Sequence, residues 1–267
     1  MPSLEHRARK RFGQNFLHDP SVIERIVRTI NPKPDENLVE IGPGLGALTL
    51  PLLEAAGKMT AIELDRDLIP KIEAAAIGVG ELSVRSMDAL QMDLGQLAQE
   101  LGGPIRVIGN LPYNISTPLL FHLYQYKDSI SDMHFMLQKE VVQRMAAEAG
   151  DSHYGRLSVT TQYHCRVAQR FLVPPGSFNP PPKVDSAIVS LYPHHQPPFD
   201  CGSEKALATV VSSAFAQRRK TLRNSLRELM DEQAIESCGL EPTIRPERIT
   251  LEKFAALSRH LHHISTQ

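Results

Sequence analysis

The sequence predicts an α/β fold, an open parallel sheet covered by helices, followed by a small all-helical domain. Three observations carry that expectation. Short apolar runs alternate with segments of helical periodicity between residues 37 and 136, which is the pattern of successive βαβ units. Glycines at Gly42, Gly44 and Gly46 directly follow the first of these runs and open a helix, as they do where a strand turns sharply toward a ligand. Beyond Asp200 no run reads as a strand, and only helical segments remain.

In chain order, Asp19 ahead of Pro20 predicts a capped helix through Ile30. Strands are expected at 37–41, 58–62, 82–86, 105–109 and 133–137. Helices are expected at 45–56, 68–76 and 117–126 between them, and at 139–148 after them. Strands around 157–171 and 184–192 would finish the sheet. The two proline-dense stretches differ: 173–183 reads as an ordered functional loop and 193–198 as a linker. Helices at 203–230, 232–238 and 251–262 complete the chain. A catalytic domain over 1–197 with a basic N-terminal arm, and a helical substrate-positioning domain over 198–267, is the division expected.

At 267 residues and 42% hydrophobic composition the chain can bury a full α/β core with room for a second, smaller unit. No apolar run approaches the length that spans a bilayer. The basic start MPSLEHRARKRF lacks the apolar segment of a signal peptide, so no membrane and a cytoplasmic location are expected. Three cysteines, Cys165, Cys201 and Cys238, lie too far apart for a zinc motif and read as reduced thiols. The eleven histidines have no ligand-spaced partners, and no metal is expected. Net charge is −1, yet the bases are clustered: Arg7, Arg9, Lys10 and Arg11 near the start, and Arg218, Arg219, Lys220, Arg223 and Arg227 later. Such clusters neutralise phosphates whatever the total charge. As a single helix, the later stretch would place Arg219, Arg223 and Arg227 on one face opposite Phe215, Leu222, Leu226 and Leu229, in a segment without acids from Ala206 to Leu226.

The four residues Asn110, Leu111, Pro112 and Tyr113 close the fourth predicted strand and carry the clearest chemistry. An exocyclic amine on a purine is a poor nucleophile because its lone pair is drawn into the ring. Two fixed acceptors on its N–H groups return density to nitrogen. Asn110 offers a side-chain acceptor and Leu111 a backbone one, held extended by Pro112. Tyr113 offers a face for the base, a contact worth ~1–3 kcal/mol. The turn at Gly42, Gly44 and Gly46 lacks the last glycine of the dinucleotide fingerprint, which leaves either a ligand without a pyrophosphate or a turn that binds none. Glu63 closes the second strand where an acid accepts from ribose hydroxyls. Asp88 follows the third strand, so four strand ends converge on one crevice.

Together with the flanking stretches, these residues resemble the ribosomal RNA adenine dimethylases, a family of class I (Rossmann-like) methyltransferases. KRFGQNFLHD (10–19), VEIGPGLGALT (39–49), NLPYNIST (110–117), FNPPPKVDSAIV (178–189) and AFAQRRKTLRNSL (214–226) are similar to that family's motifs, nearly the whole length of the chain. The resemblance implies S-adenosyl-L-methionine as cofactor, with contacts at Asn15, Leu17, Gly42, Glu63, Asp88 and Asn110. Gln14 to Leu17 would lie near its methionine part, Glu63 at the ribose and Asp88 at the adenine amine. It implies N6,N6-dimethylation of two adjacent adenosines in a hairpin loop near the 3′ end of 16S rRNA, within the small ribosomal subunit or its precursor, by a monomer. The target adenine would leave its stack and sit between Tyr113 and Phe178. A small-molecule methyltransferase, a non-enzymatic assembly or transcription factor, and a methylase of large-subunit rRNA stay open as alternatives.

Overall fold

The structure, a computed structural model, describes residues 15–112, 115–217 and 219–266. A short strand β1 (Phe16–Leu17) precedes helix α1 (Pro20–Ile30). Asp19 caps α1 by accepting from the Ser21 and Val22 amides at 3.0 and 3.3 Å. Then come β2 (Asn37–Ile41), α2 (Thr49–Ala56), β3 (Lys58–Glu63), α3 (Ile69–Ala76), β4 (Glu81–Ser86), α4 (Leu94–Glu100), β5 (Ile105–Asn110), α5 (Ser116–Tyr124) and β6 (Ile130–Gln138). The five strands expected between 37 and 137 are all present, because strands buried in a parallel sheet read as plain apolar runs.

The chain continues through α6 (Lys139–Ala146), α7 (Arg156–His164), β7 (Cys165–Val173), β8 (Phe178–Asn179) and β9 (Ser186–Pro193). The main sheet runs β4-β3-β2-β5-β6-β9-β7. Its first five strands are parallel and β9 joins β6 antiparallel. The chain winds outward from β2 through β3 to β4, then returns to β5 on the other side of β2. The switch point between β2 and β5, where such sheets bind ligands, thus lies at Ile41 and its register partner Gly109. A Cβ at Gly109 would stand 2.8 Å from the Ile41 carbonyl, so only glycine lets the strands come together there.

The opposite end of the sheet is fastened by a charged network. Arg106 on β5 meets Asp132 on β6 through Nε and Nη2, both at 2.9 Å, and reaches Glu36 at 2.6 Å and the Ile30 carbonyl at 2.7 Å. His134 lies 3.1 Å from Asp132 and 3.0 Å from the Ser190 hydroxyl of β9, its register partner. Burial alone would raise the Asp132 carboxyl. Its bonds to His134 and Arg106 outweigh that and hold it at about 2.

The chain forms two compact units: residues up to Val142 with Ala168–Pro193, and Gln143–Val167 with the chain from His194 onward. The second unit contains α7 and the helices α8 (Glu204–Ala214), α9 (Leu222–Ser225), α10 (Glu232–Ser237) and α11 (Leu251–Ser265). Its boundary near 193 falls close to the expected linker, but the segment 143–167, expected in the catalytic domain, belongs with the helices. Residues 157–164, expected as strand, belong to α7. Their β-branched residues favour strand locally, yet Val159 and Tyr163, four apart, enter one apolar cluster with Leu207, Val210, Leu226 and Phe254. The expected long helix 203–230 is interrupted. Arg219 adopts a left-handed φ of 70°, and the Leu222 amide bonds to the Ile244 carbonyl instead of continuing a helix.

Among the described residues no helix is long and apolar enough to cross a membrane, and no three histidine, cysteine or acidic side chains gather as a metal would need. The three cysteines are free thiols.

Candidate active site

Four strand ends and the short paired strands β1 and β8 build the site, all within the first unit. After β2 the backbone takes positive φ at Gly42, Gly44 and Gly46, 70°, 58° and 86°, which L side chains rarely adopt. A Cβ at Gly42 would meet nothing within 4 Å, so the space before the turn is open. One at Gly44 would touch the Phe16 ring at 3.3 Å, so β1 lies over the turn. The turn is tied to the next strand: the Gly42 amide donates to the Ile62 carbonyl at 2.9 Å and the Gly44 amide to Glu63 Oε2 at 3.3 Å.

Glu63 ends β3 and is buried; its Oε1 accepts from the Asp65 amide at 2.8 Å. Burial pushes its carboxyl above the usual range, and the Asp65 and Gly44 amides pull part of the way back. A carboxylate oxygen accepts more than one hydrogen bond, so capacity for a diol remains. Asp88, half-buried after β4, caps a short 3-10 helix by accepting from the Leu90 amide at 2.9 Å.

Asn110 ends β5. Its Nδ2 donates to the Asn15 carbonyl at 3.2 Å, which turns Oδ1 away from that contact as an acceptor. The Leu111 side chain is buried and its amide donates to Met136 at 3.2 Å. The position of the Leu111 carbonyl is thereby set by β6 as well as by Pro112. Opposite, β1 pairs with β8, Leu17 facing Phe178. The His18 amide donates to the Ser177 carbonyl at 3.0 Å and the Ser177 hydroxyl to Asp19 at 3.1 Å.

Asn15, Leu17, Gly42, Glu63, Asp88, Asn110, Leu111 and Pro112 thus sit on the loops and strand ends at one edge of the sheet. Phe178 is different: only 3% exposed, it packs with Leu17, Val173 and Ile188. Tyr113 and Arg218, and the arm at Arg7, Arg9, Lys10, Arg11 and Gln14, lie outside the described residues. Two residues escaped the sequence reading. Phe16 covers Gly44, and Leu64, beside Glu63, is 52% exposed. A large apolar residue placed directly after a strand-end acid was the available signal for Leu64.

Compared with known proteins, residues 5–261 match the ribosomal RNA adenine dimethylase family. The chain belongs to that family. It is 54% identical over 260 residues to "Ribosomal RNA small subunit methyltransferase A" of Hahella chejuensis, covering 97% of this chain and 95% of that one. Among solved structures it is similar to a dimethyladenosine transferase from Plasmodium falciparum, with TM-score 0.74, 26% identity and coverage of 91% and 95%. It is also similar to the 23S rRNA methyltransferase ErmE, with TM-score 0.72, 25% identity and coverage of 92% and 99%. As a ribosomal RNA adenine dimethylase the chain is an S-adenosyl-L-methionine-dependent methyltransferase of Rossmann-like fold. The residues fit that cofactor: open space at the start of the glycine turn, a buried carboxylate for a diol, and the exposed apolar Leu64 between Glu63 and Asp65.

The expected arginine helix is corrected here. Arg219 lies in the interruption, so Arg219, Arg223 and Arg227 do not share one helix face. Arg223 stands 3.9 Å from Glu232, and Arg227 Nε bonds Glu228 at 2.9 Å. The sequence-local absence of acids missed partners just beyond the stretch. These exposed pairs are worth little, at most about 1 kcal/mol each, and leave the arginines able to exchange partners.

Proposed function

We propose that the chain dimethylates N6 of two adjacent adenosines in a hairpin loop near the 3′ end of small-subunit rRNA, acting as a cytoplasmic monomer on the small subunit or its precursor. The observation that carries this reading is Asn110. It stands at the switch-point strand end with its amide nitrogen engaged by Asn15, next to a glycine turn that suits the cofactor. The relatives' names support the substrate.

In this reading the cofactor supplies an electrophilic methyl on a sulfonium. Glu63 accepts from the ribose, Asp88 meets the adenine amine, Leu64 offers its apolar surface to that ring, and Asn15 and Leu17 border the methionine part. Asn110 Oδ1 and the Leu111 carbonyl accept the two N–H groups of the target amine and orient its lone pair in line with the methyl. Acceleration then comes from positioning and electrostatics, with no dedicated base, since the amine turns acidic only as the new bond forms. Tyr113 stacks on the extruded base. Phe178, buried against Leu17, serves as the second wall only where the β1–β8 pairing uncovers it.

Glu63→Ala should weaken cofactor binding by about 10- to 100-fold, the worth of a charge-assisted hydrogen bond, and raise KM more than it lowers kcat. Calorimetric titration of the cofactor checks this, and an unchanged affinity rejects the ribose assignment. In the second unit, Arg218, Arg219, Lys220, Arg223 and Arg227 meet RNA phosphates, which position without reading sequence. Arg223→Gln should flatten the log–log salt dependence of RNA binding by about 0.7–0.9 while cofactor affinity holds. The reverse pattern assigns the stretch to packing. Labelled-methyl transfer to purified small and large subunits lacking the modification tests the substrate: label on small subunits supports the reading, and label confined to large subunits rejects it.

A further inference from the structure

A side-chain amide can sit in either of two orientations half a turn apart, and only one of them suits the chemistry assigned to Asn110. With Oδ1 toward the target amine it accepts an N–H; turned over, it sets a donor against a donor. The segment around β1 decides between the two. The Asn15 carbonyl can bind only the nitrogen end of the Asn110 amide, and takes it at 3.2 Å. Asn15 leads directly into β1, where successive side chains point to opposite sides. Leu17 enters the apolar cluster with Val173 and Phe178 and is paired with Phe178 in register. Phe16 turns onto the glycine turn, where a Cβ at Gly44 would stand 3.3 Å from two atoms of its ring. Gly44 is itself fixed, its amide donating to Glu63 Oε2 at 3.3 Å. Beyond β1 the chain is pinned by backbone and cap: the His18 amide donates to the Ser177 carbonyl and Asp19 caps α1. Toward Asn110 the tie to the glycine turn is the Phe16 ring.

We propose that Phe16 is a positioning residue for methyl transfer: its ring, seated on Gly44, holds β1 where the Asn15 carbonyl keeps Asn110 turned with Oδ1 toward the target amine. The inference rests on Asn110 as an acceptor of that amine. A continuous chain of contacts runs from Glu63 through Gly44, Phe16 and Asn15 to Asn110, so the turn that receives the cofactor also sets the acceptor that orients the nucleophile. Without the ring, the start of β1 shifts on the turn and the Asn15 carbonyl leaves Asn110. The amide then turns over, and the acceptor is lost for as long as it stays turned. This role differs in kinetics from a simple cofactor contact. A contact made equally in the ground and transition states changes KM, whereas the orientation of a group that acts on the reacting amine changes kcat.

Phe16→Ala should lower the single-turnover rate of methyl transfer to unmodified small subunits by about tenfold at saturating S-adenosyl-L-methionine, the scale on which misplaced groups act. Phe16→Leu, which keeps an apolar side chain on the turn, should recover most of that rate. In an Asn110→Ala background, Phe16→Ala should lower the rate no further, because the group it orients is gone. Magnetic resonance of the chain labelled at its asparagine nitrogens reads the orientation directly. The side-chain amide signals of Asn110, assigned by their absence from Asn110→Ala, should show the well-separated proton shifts of a bonded amide in the wild type and collapse toward those of a solvated asparagine in Phe16→Ala. A saturated rate that ignores Phe16→Ala, with only the cofactor requirement raised, overturns the proposal, as does an equal further loss in the Asn110→Ala background. Solvated-type Asn110 signals in the wild type overturn it whether or not the variants fold. Normal turnover by Asn110→Ala alone would defeat the assignment of Asn110 on which the inference rests.

Discussion

Asn110→Ala should lower kcat by about 10²–10³-fold, the cost typical of deleting one fixed acceptor or donor that acts in the transition state. The fold should survive. Asn110 closes β5 half-exposed, and the hydrogen bonds that pair the strand with β2 and β6 belong to the backbone. The variant loses both the Oδ1 acceptor and the Nδ2 bond to Asn15. Cofactor affinity should drop by a much smaller factor than kcat, because an acceptor used mainly by the reacting amine contributes little to cofactor binding. Single-turnover methyl transfer on saturated enzyme separates the two. Turnover within a few-fold of wild type would show that the amine is oriented elsewhere.

Asp132→Ala should destabilise the protein by roughly 3–5 kcal/mol at neutral pH. It leaves Arg106, only 12% exposed in its side chain, without its bidentate partner in the charged network. The pH dependence has a definite direction. A carboxyl held at about 2 when folded, against an ordinary value near 4, contributes stability above pH 4 and loses it as pH falls toward 2. The gap between wild type and variant in denaturant unfolding should therefore be full at pH 6 and shrink toward pH 2. A gap that stays constant across this range would mean that the loss comes from packing and not from the charge. Activity measured below the unfolding midpoint should fall far less than in Asn110→Ala, since Asp132 fastens the opposite end of β5 and β6.

The strands and the chemistry at their ends were legible because they are local. Asn37–Ile41 and Ile105–Asn110 are unbroken apolar runs, and the glycines, Glu63 and Asn110 stand directly after or at the end of such runs. What the sequence hid depends on contacts distant in the chain. The bond from Asn110 to Asn15, the Phe16 ring over Gly44 and the burial of Phe178 all follow from pairing residues 16–17 with 178–179. Helix α7 was hidden for the same reason. Its β-branched residues state a strand preference that the packing of Val159 and Tyr163 overrides. The arginine stripe failed because helical spacing was extended across a segment whose amides bond to Pro242 and Ile244.

The central claim is that this pocket dimethylates two adjacent adenosines near the 3′ end of small-subunit rRNA. Primer extension through that hairpin tests it most directly, because N6,N6-dimethyladenosine cannot pair and stops the polymerase. In cells lacking the chain, the expected result is read-through, with the stop restored by the wild-type chain and not by Asn110→Ala. A stop that persists without the chain, or one restored equally well by Asn110→Ala, would contradict the claim.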